Sequence, residues 1–325
     1  MTSPVRKRVH PEVSDFTFRY VDGEGNAQGL SRKKGRLGSD ALVLDDEPVP
    51  YEQIAETVTR GSRLVLAVPG FRRIGELGQH VLDGSVIALE PGKPSASELE
   101  RAIDRRCARI EAQRRRAELV AAGKEDLLRI EECPACGAKV DLSGYEPTVY
   151  SYCSYCESVF SRDIARVTDG DRYRVCDECG MFDRIQQYPE FYFYFAVFFY
   201  GFSYRQRFLC DGCAHALFQK ALLLNLLFLV GVPTALWVKI KSLSGRDPDF
   251  ALLTRANAHA RAGRCREAAV DYAAVLQKQP NHPGVLMSQA LGYLIAGDQR
   301  QAASVLKRSL KACNHYAPAL RLLPE

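Results

Sequence analysis

The chain has 325 residues, 44 Lys and Arg against 39 Asp and Glu for a formal charge of +5, and 46% hydrophobic residues. A length beyond the reach of one hydrophobic core argues against a single fold and for two or three domains. Both charge signs are abundant and the excess is small, so charge gives only weak support for nucleic acid or an anionic membrane as a partner.

The opening, MTSPVRKRVHPEVSDF, is basic but leads into no apolar core, so it fails the pattern of a cleavable secretory signal. Residues 1–13 are expected to be disordered and the N-terminal half to stay in the cytosol. From residue 14 the chain reads as short strands, Phe16–Tyr20, Ala41–Leu44, Ile54–Val58, Arg63–Val68 and Ser85–Leu89, separated by turn residues such as Asp22-Gly23 and Pro69-Gly70. An antiparallel sheet is expected. Ser97 then opens a helix with Glu98 and Glu100 in its first turn, and Leu99, Ile103, Cys107 and Ile110 fall on one face.

A small curved sheet closed by one C-terminal amphipathic helix, with its "Pro-Tyr-x-x-Ile" turn at residues 50–54, resembles bacterial pleckstrin-homology-like domains over residues 14–122. The resemblance implies a lipid- or peptide-binding fold without naming a ligand. The opposite helix face carries Arg101, Arg105, Arg106, Arg109, Arg114, Arg115 and Arg116, interleaved with Asp104, Glu111 and Glu118. The favoured reading is a solvated, ion-paired face, with anionic headgroups or an acidic partner as the alternative.

Eleven cysteines include four Cys-x-x-Cys pairs, a spacing that points to metal rather than disulfides in a chain without a signal. Cys133 and Cys136, followed by Gly137, stand sixteen residues before Cys153 and Cys156. Such a turn aims two thiolates at one point, and two turns complete a tetrahedral shell. The pattern resembles a zinc ribbon, assigned to residues 130–165. Cys176 and Cys179 are paired with Cys210 and Cys213 across thirty residues in a second ribbon, 172–216. Sequential pairing is preferred because each set closes its own loop. Two structural Zn2+ ions are therefore expected, with His215 a bystander. Four sulfurs leave no open position for water or substrate, so no catalytic role is expected of these sites. Cys107, Cys265 and Cys313 read as small buried groups. The first ribbon's hairpin, GAKVDLSGYEPTVYSY, carries one Lys against Asp141 and Glu146, which argues against a nucleic-acid surface.

Tyr188–Tyr204 holds eleven aromatics in seventeen residues. Because this loop begins and ends at one metal it must return to the same side, and residues 191–204 are expected to form a hairpin at the membrane surface, with a wide interdomain core as the alternative. Ala221–Val238 is eighteen residues without a charge, about 27 Å long as a helix, and marks a membrane segment over 217–241. Gly231 and Pro233 leave spanning and re-entrant forms open, and the balanced basic flanks leave the side of the C-terminus open. After a linker at 242–248, Leu252, Ala256, Ala262, Gly263, Arg266, Ala268, Ala269 and Leu276 recur 34 residues later as Leu286, Ala290, Ala296, Gly297, Arg300, Ala302, Ala303 and Leu310. This period resembles the tetratricopeptide repeat, and residues 249–325 are expected to form two helical hairpins that bind a protein or peptide. Two copies are too few for a closed core, so help is expected from Tyr316–Leu323, from another domain, or from a second chain as a homo-oligomer.

The fold class expected is thus multidomain α+β. The expected role is a membrane-attached, non-enzymatic scaffold with its ribbons and N-terminal domain on the cytoplasmic side; a zinc-ribbon regulator of nucleic acid and an enzyme with a concealed site are the alternatives. Walker, dinucleotide-binding, Gly-x-Ser-x-Gly and His-Glu-x-x-His patterns are all missing from the sequence.

Overall fold

The computed structural model describes residues 13–70, 76–161, 173–196, 199–225 and 250–323. It is mixed α+β, with an antiparallel β domain preceding a helical C-terminal region, and the chain divides into two units, Lys7–Gly144 and Tyr145–Glu325.

The main sheet of the first unit has eight strands: β1 (Asp15–Tyr20), β2 (Lys33–Leu37), β3 (Ala41–Leu44), β4 (Glu47–Pro50), β5 (Glu56–Arg60), β6 (Arg63–Ala67), β7 (Val81–Leu82) and β8 (Val86–Pro91). They form one antiparallel sheet in the order β4-β3-β2-β1-β8-β6-β5, with β7 also on β8. Alternation puts Phe16, Phe18 and Tyr20 of β1 and Leu64 and Leu66 of β6 into the core. Asp45 and Asp46, both at positive φ, make the two-residue turn from β3 to β4, a geometry whose twist suits a tight hairpin. β2 and β4 are absent from the strands expected above. β2 is polar and carries Gly35, which belongs there because the Phe16 ring lies 2.3 Å from where a Cβ would stand.

Helix α1 (Ala96–Ala121) closes this core with Leu99, Ala102 and Ile103, and Cys107 and Ile110 pack at its margin. It starts two residues earlier than expected, on a capping box in which Ser95 and Glu98 each satisfy the other's backbone amide. Glu100 accepts from the Thr59 amide and hydroxyl, and Asp104 accepts from Thr57, tying the helix to β5. The arginine-rich face is largely engaged within the unit. Arg106 donates to the Val13 carbonyl and Arg109 to Ser39, Arg114 and Arg115 pair with Glu118, and Arg115 also meets Asp141 of the hairpin β9 (Ile130–Glu132) and β10 (Lys139–Asp141).

The second unit contains β11 (Ser151–Tyr152), β12 (Val159–Phe160), β13 (Tyr173–Val175), β14 (Phe182–Ala196), β15 (Phe199–Cys210) and α2 (Asp211–Asn225). Of the aromatic run 191–204, residues 191–196 and 199–204 end a long two-stranded pairing in which β14 and β15 run from Ile185↔Cys210 to Ala196↔Phe199, and residues 197 and 198 lie outside the described residues. Of the membrane segment expected at 217–241, residues up to 225 end α2; 226–241 and the linker 242–248 lie outside the described residues. Among the described residues no helix is long and apolar enough to cross a membrane.

Two helical hairpins follow, α3 (Leu253–Arg261) with α4 (Cys265–Lys278) and α5 (Pro283–Ile295) with α6 (Gln299–Ala312), and then the short α7 (Ala317–Leu320). The 34-residue period is visible atom by atom at the turns. Gly263 and Gly297 both take positive φ, and the next amide reaches back five residues in each copy, Arg264 to His259 and Asp298 to Tyr293, both at 2.9 Å. The missing core of a two-copy stack is completed within the chain: Tyr152, Tyr173 and Phe182 from the strands, Tyr150 and Met181 from the residues just before β11 and β14, and Tyr316 from the trailing segment join the helical core. Cys313 is fully buried there, and Cys265 half-buried.

Candidate metal centres

Three of the four Cys-x-x-Cys turns are built alike. In each, the amide after the second cysteine donates to the carbonyl of the first: Gly137 to Cys133 and Glu157 to Cys153 at 2.8 Å, and Gly180 to Cys176 at 3.0 Å. The first cysteine's amide then bonds the carbonyl five residues on, at Ala138, Ser158 and Met181, each at 2.9 Å. Closing this loop requires positive φ at the residue after the second cysteine, and Gly137, Gly180 and Glu157 all have it. Glu157 adopts it despite its side chain, which is half-buried and held by Arg174 at 2.9 Å. Burial raises the Glu157 carboxyl against that partner.

The fourth pair is different. Cys210 ends β15 and Cys213 lies in the first turn of α2, so the second set joins a hairpin turn to a helix start instead of two hairpin turns.

The expected pairs converge. Cys133, Cys136, Cys153 and Cys156 form one group, and Cys176, Cys179, Cys210 and Cys213 another, with the sulfurs of each group all within 4.8 Å of one another. Five of these eight cysteines are buried and the other three half-buried. A tetrahedral zinc shell with Zn–S bonds of about 2.3 Å sets its sulfurs about 3.8 Å apart; the Cys179 and Cys210 sulfurs are 3.9 Å apart. Backbone amides also point at sulfur, Cys210 N–H at Cys176 Sγ (3.3 Å) and Cys213 N–H at Cys210 Sγ (3.5 Å), as thiolates require. Thiols donating from Cys179, Cys210 and Cys213 hold Cys176 far below the usual thiol range, while Cys210 and Cys213 are pushed far above it beside Cys176. Four sulfurs this close can all be thiolates only around a cation, so the donor set fits a dication such as zinc, whose binding displaces the shared protons. Among the described residues these two groups are the clusters that could hold a metal ion; His215 is outside them and lies 3.1 Å from Gln219.

Two neighbours of the second set carry no sequence signal. Arg261 of α3 points its guanidinium at the Cys179 and Cys210 sulfurs, 3.5 and 3.6 Å away. Arg184 pairs with both oxygens of Asp211, inside the Cys210–Cys213 turn, at 3.1 and 3.0 Å. No period or spacing relates residue 261 to residue 179, so only the folded chain brings them together. The chain matches no known protein-family model, no curated protein and no solved structure.

Proposed function

We propose that this protein is a membrane-attached, non-enzymatic scaffold, built from a pleckstrin-homology-like domain, two zinc-bound cysteine modules of ribbon type and a tetratricopeptide-like repeat that recruits a protein or peptide. The observation that carries the reading is the pair of closed four-cysteine clusters. A shell filled by four protein sulfurs holds chain segments together and offers no coordination site to a substrate.

Membrane contact is assigned to 191–204 and 221–238. Strand alternation places residues 191, 193, 195, 200, 202 and 204 on one face of the hairpin, and the register pairs Phe191↔Tyr204, Phe193↔Phe202 and Phe195↔Tyr200 across it. All six are Phe or Tyr, and no charge occurs between Glu190 and Arg205. A two-stranded hairpin has two open edges whose amides and carbonyls need water, so it suits the headgroup zone and not the hydrocarbon centre.

The test is metal content together with fractionation. Purified metal-replete protein is expected to carry close to two zinc ions per chain. The full chain is expected to stay with membranes through a carbonate wash and to be released by deleting 221–238. A metal content near zero overturns the zinc assignment, and recovery of the intact chain in the soluble fraction overturns the membrane assignment.

A further inference from the structure

The contact of Arg261 with the second cluster is a built one. Its guanidinium lies over the Cys210-Asp211-Gly212-Cys213 turn, and Gly212 makes room for it: a Cβ at that position would fall 2.3 Å from Arg261 Nη2. Four thiolates around a dication carry two surplus negative charges. A guanidinium bonded to two of those sulfurs offsets one of them in a half-buried setting, where charge is costly to leave unpaired.

The helix that carries Arg261 also grips the strand leaving the same cluster. Phe182 stands one residue beyond the Cys176–Gly180 turn, and its backbone is held on both sides by side chains from two helices. Its amide donates to Ser288 Oγ of α5 at 2.7 Å, and its carbonyl accepts from Ser288 Oγ at 3.2 Å and Asn257 Nδ2 of α3 at 3.0 Å. Asp183, wholly buried, accepts from Asn257 and Thr254 of α3 at 3.0 and 2.8 Å. Tyr272 donates to Asn257 Oδ1 at 2.7 Å and fixes the amide's orientation. The Phe182 ring lies against Gly284, where a Cβ would be 2.5 Å from it. The face shared by α3 and α5 is therefore a groove that reads an extended Phe-Asp segment, and the chain's own strand fills it.

We infer that Arg261 is the charge partner of the metal-bearing thiolates of the second cluster, and that through it the loaded cluster latches the α3–α5 groove onto Phe182 and Asp183. Loss of that metal undoes the contact between Arg261 and the sulfurs, loosens the turn from which the strand emerges, and frees the groove. The inference rests on the zinc reading above.

The test uses the full chain loaded with zinc, as wild type, Arg261→Gln and Arg261→Lys, titrated with a chelator. Labelling of the released thiols distinguishes the Cys133 set from the Cys176 set. All three chains are expected to load two zinc ions, with Arg261→Gln giving up the second-cluster zinc at about 10–100-fold lower chelator and Arg261→Lys falling between. Hydrogen exchange at Phe182, Asp183 and along α3 is expected to accelerate as that zinc leaves, an arm that needs only the wild type should a variant misfold. Zinc held equally tightly by wild type and Arg261→Gln, or exchange at Phe182 unchanged after the zinc has gone, overturns the latch. A wild-type chain that never loads two zinc ions overturns the metal reading itself.

Discussion

His282 shows how one side chain serves a cap, a core and a pH response. It caps α5 by accepting from the Val285 amide at 3.4 Å, and its ring packs among Phe182, Tyr150 and Phe250. Burial lowers its pKa to about 3, so it is neutral when folded and protonates only on unfolding in mildly acid solution. A depressed folded pKa means stability that is present above about pH 6.5 and is lost as pH falls from there toward 3. Replacing it with Asn keeps a capping acceptor and removes the titration. The advantage of wild type over His282→Asn in unfolding free energy, read from urea titrations, is expected to shrink by about 1 kcal/mol between pH 7 and pH 5.5. A gap that stays constant with pH would show that the imidazole is not the titrating group. Gly284 offers a second residue-scale prediction. Gly284→Ala puts a methyl into the Phe182 ring, and a loss of about 1–3 kcal/mol in unfolding free energy is expected from such overpacking.

At the scale of elements, the start of α1 is the most local feature in the chain. Ser95 accepts from the Glu98 amide and Glu98 accepts from the Ser95 amide and hydroxyl, which holds the Glu98 carboxyl below its usual range. Ser95→Ala is expected to cost about 1 kcal/mol, read as a lower thermal midpoint for the β domain, with the cysteine clusters still loading metal. The helix face was legible from spacing: Leu99, Ile103, Cys107 and Ile110 lie where a 3.6-residue period puts them. Its first residue was less so, because Ser95 and Ser97 are both acceptable caps, and the choice fell to the one whose third neighbour is Glu98. Strands β2 and β4 escaped the reading for a related reason. Lys33–Leu37 is short and polar and Glu47–Pro50 is short and carries two prolines, and they become strands because Phe16 and Leu42 offer them a ladder and an apolar surface.

For the whole molecule, the two clusters divide the cysteines without sharing one. Cys133→Ser is accordingly expected to reduce the zinc content from two per chain to one by elemental analysis, leaving the helical content of the 250–323 region unchanged by circular dichroism. A loss of both ions would show that the clusters bind as a single cooperative unit. The helical hairpins are not a free-standing stack. Tyr173, Phe182 and Tyr316 supply the apolar surface that a third repeat would otherwise provide, so cutting the helices away from their strands exposes a groove lined by Asn257, Ser288 and Gly284.

The grouping of eight cysteines into two sets of four, the 34-residue period with its paired glycines and the apolar face of α1 were all readable from residue order. Each depends on chemistry that repeats over a few residues: a turn that aims two sulfurs together, a helix cap, a helical period. The position of Arg261 beside two sulfurs and the filling of the α3–α5 face by Phe182 and Asp183 depend on contacts between residues 50 to more than 100 positions apart. Packing selects such contacts by shape and charge over the whole fold, and that selection leaves no local mark in the order of amino acids.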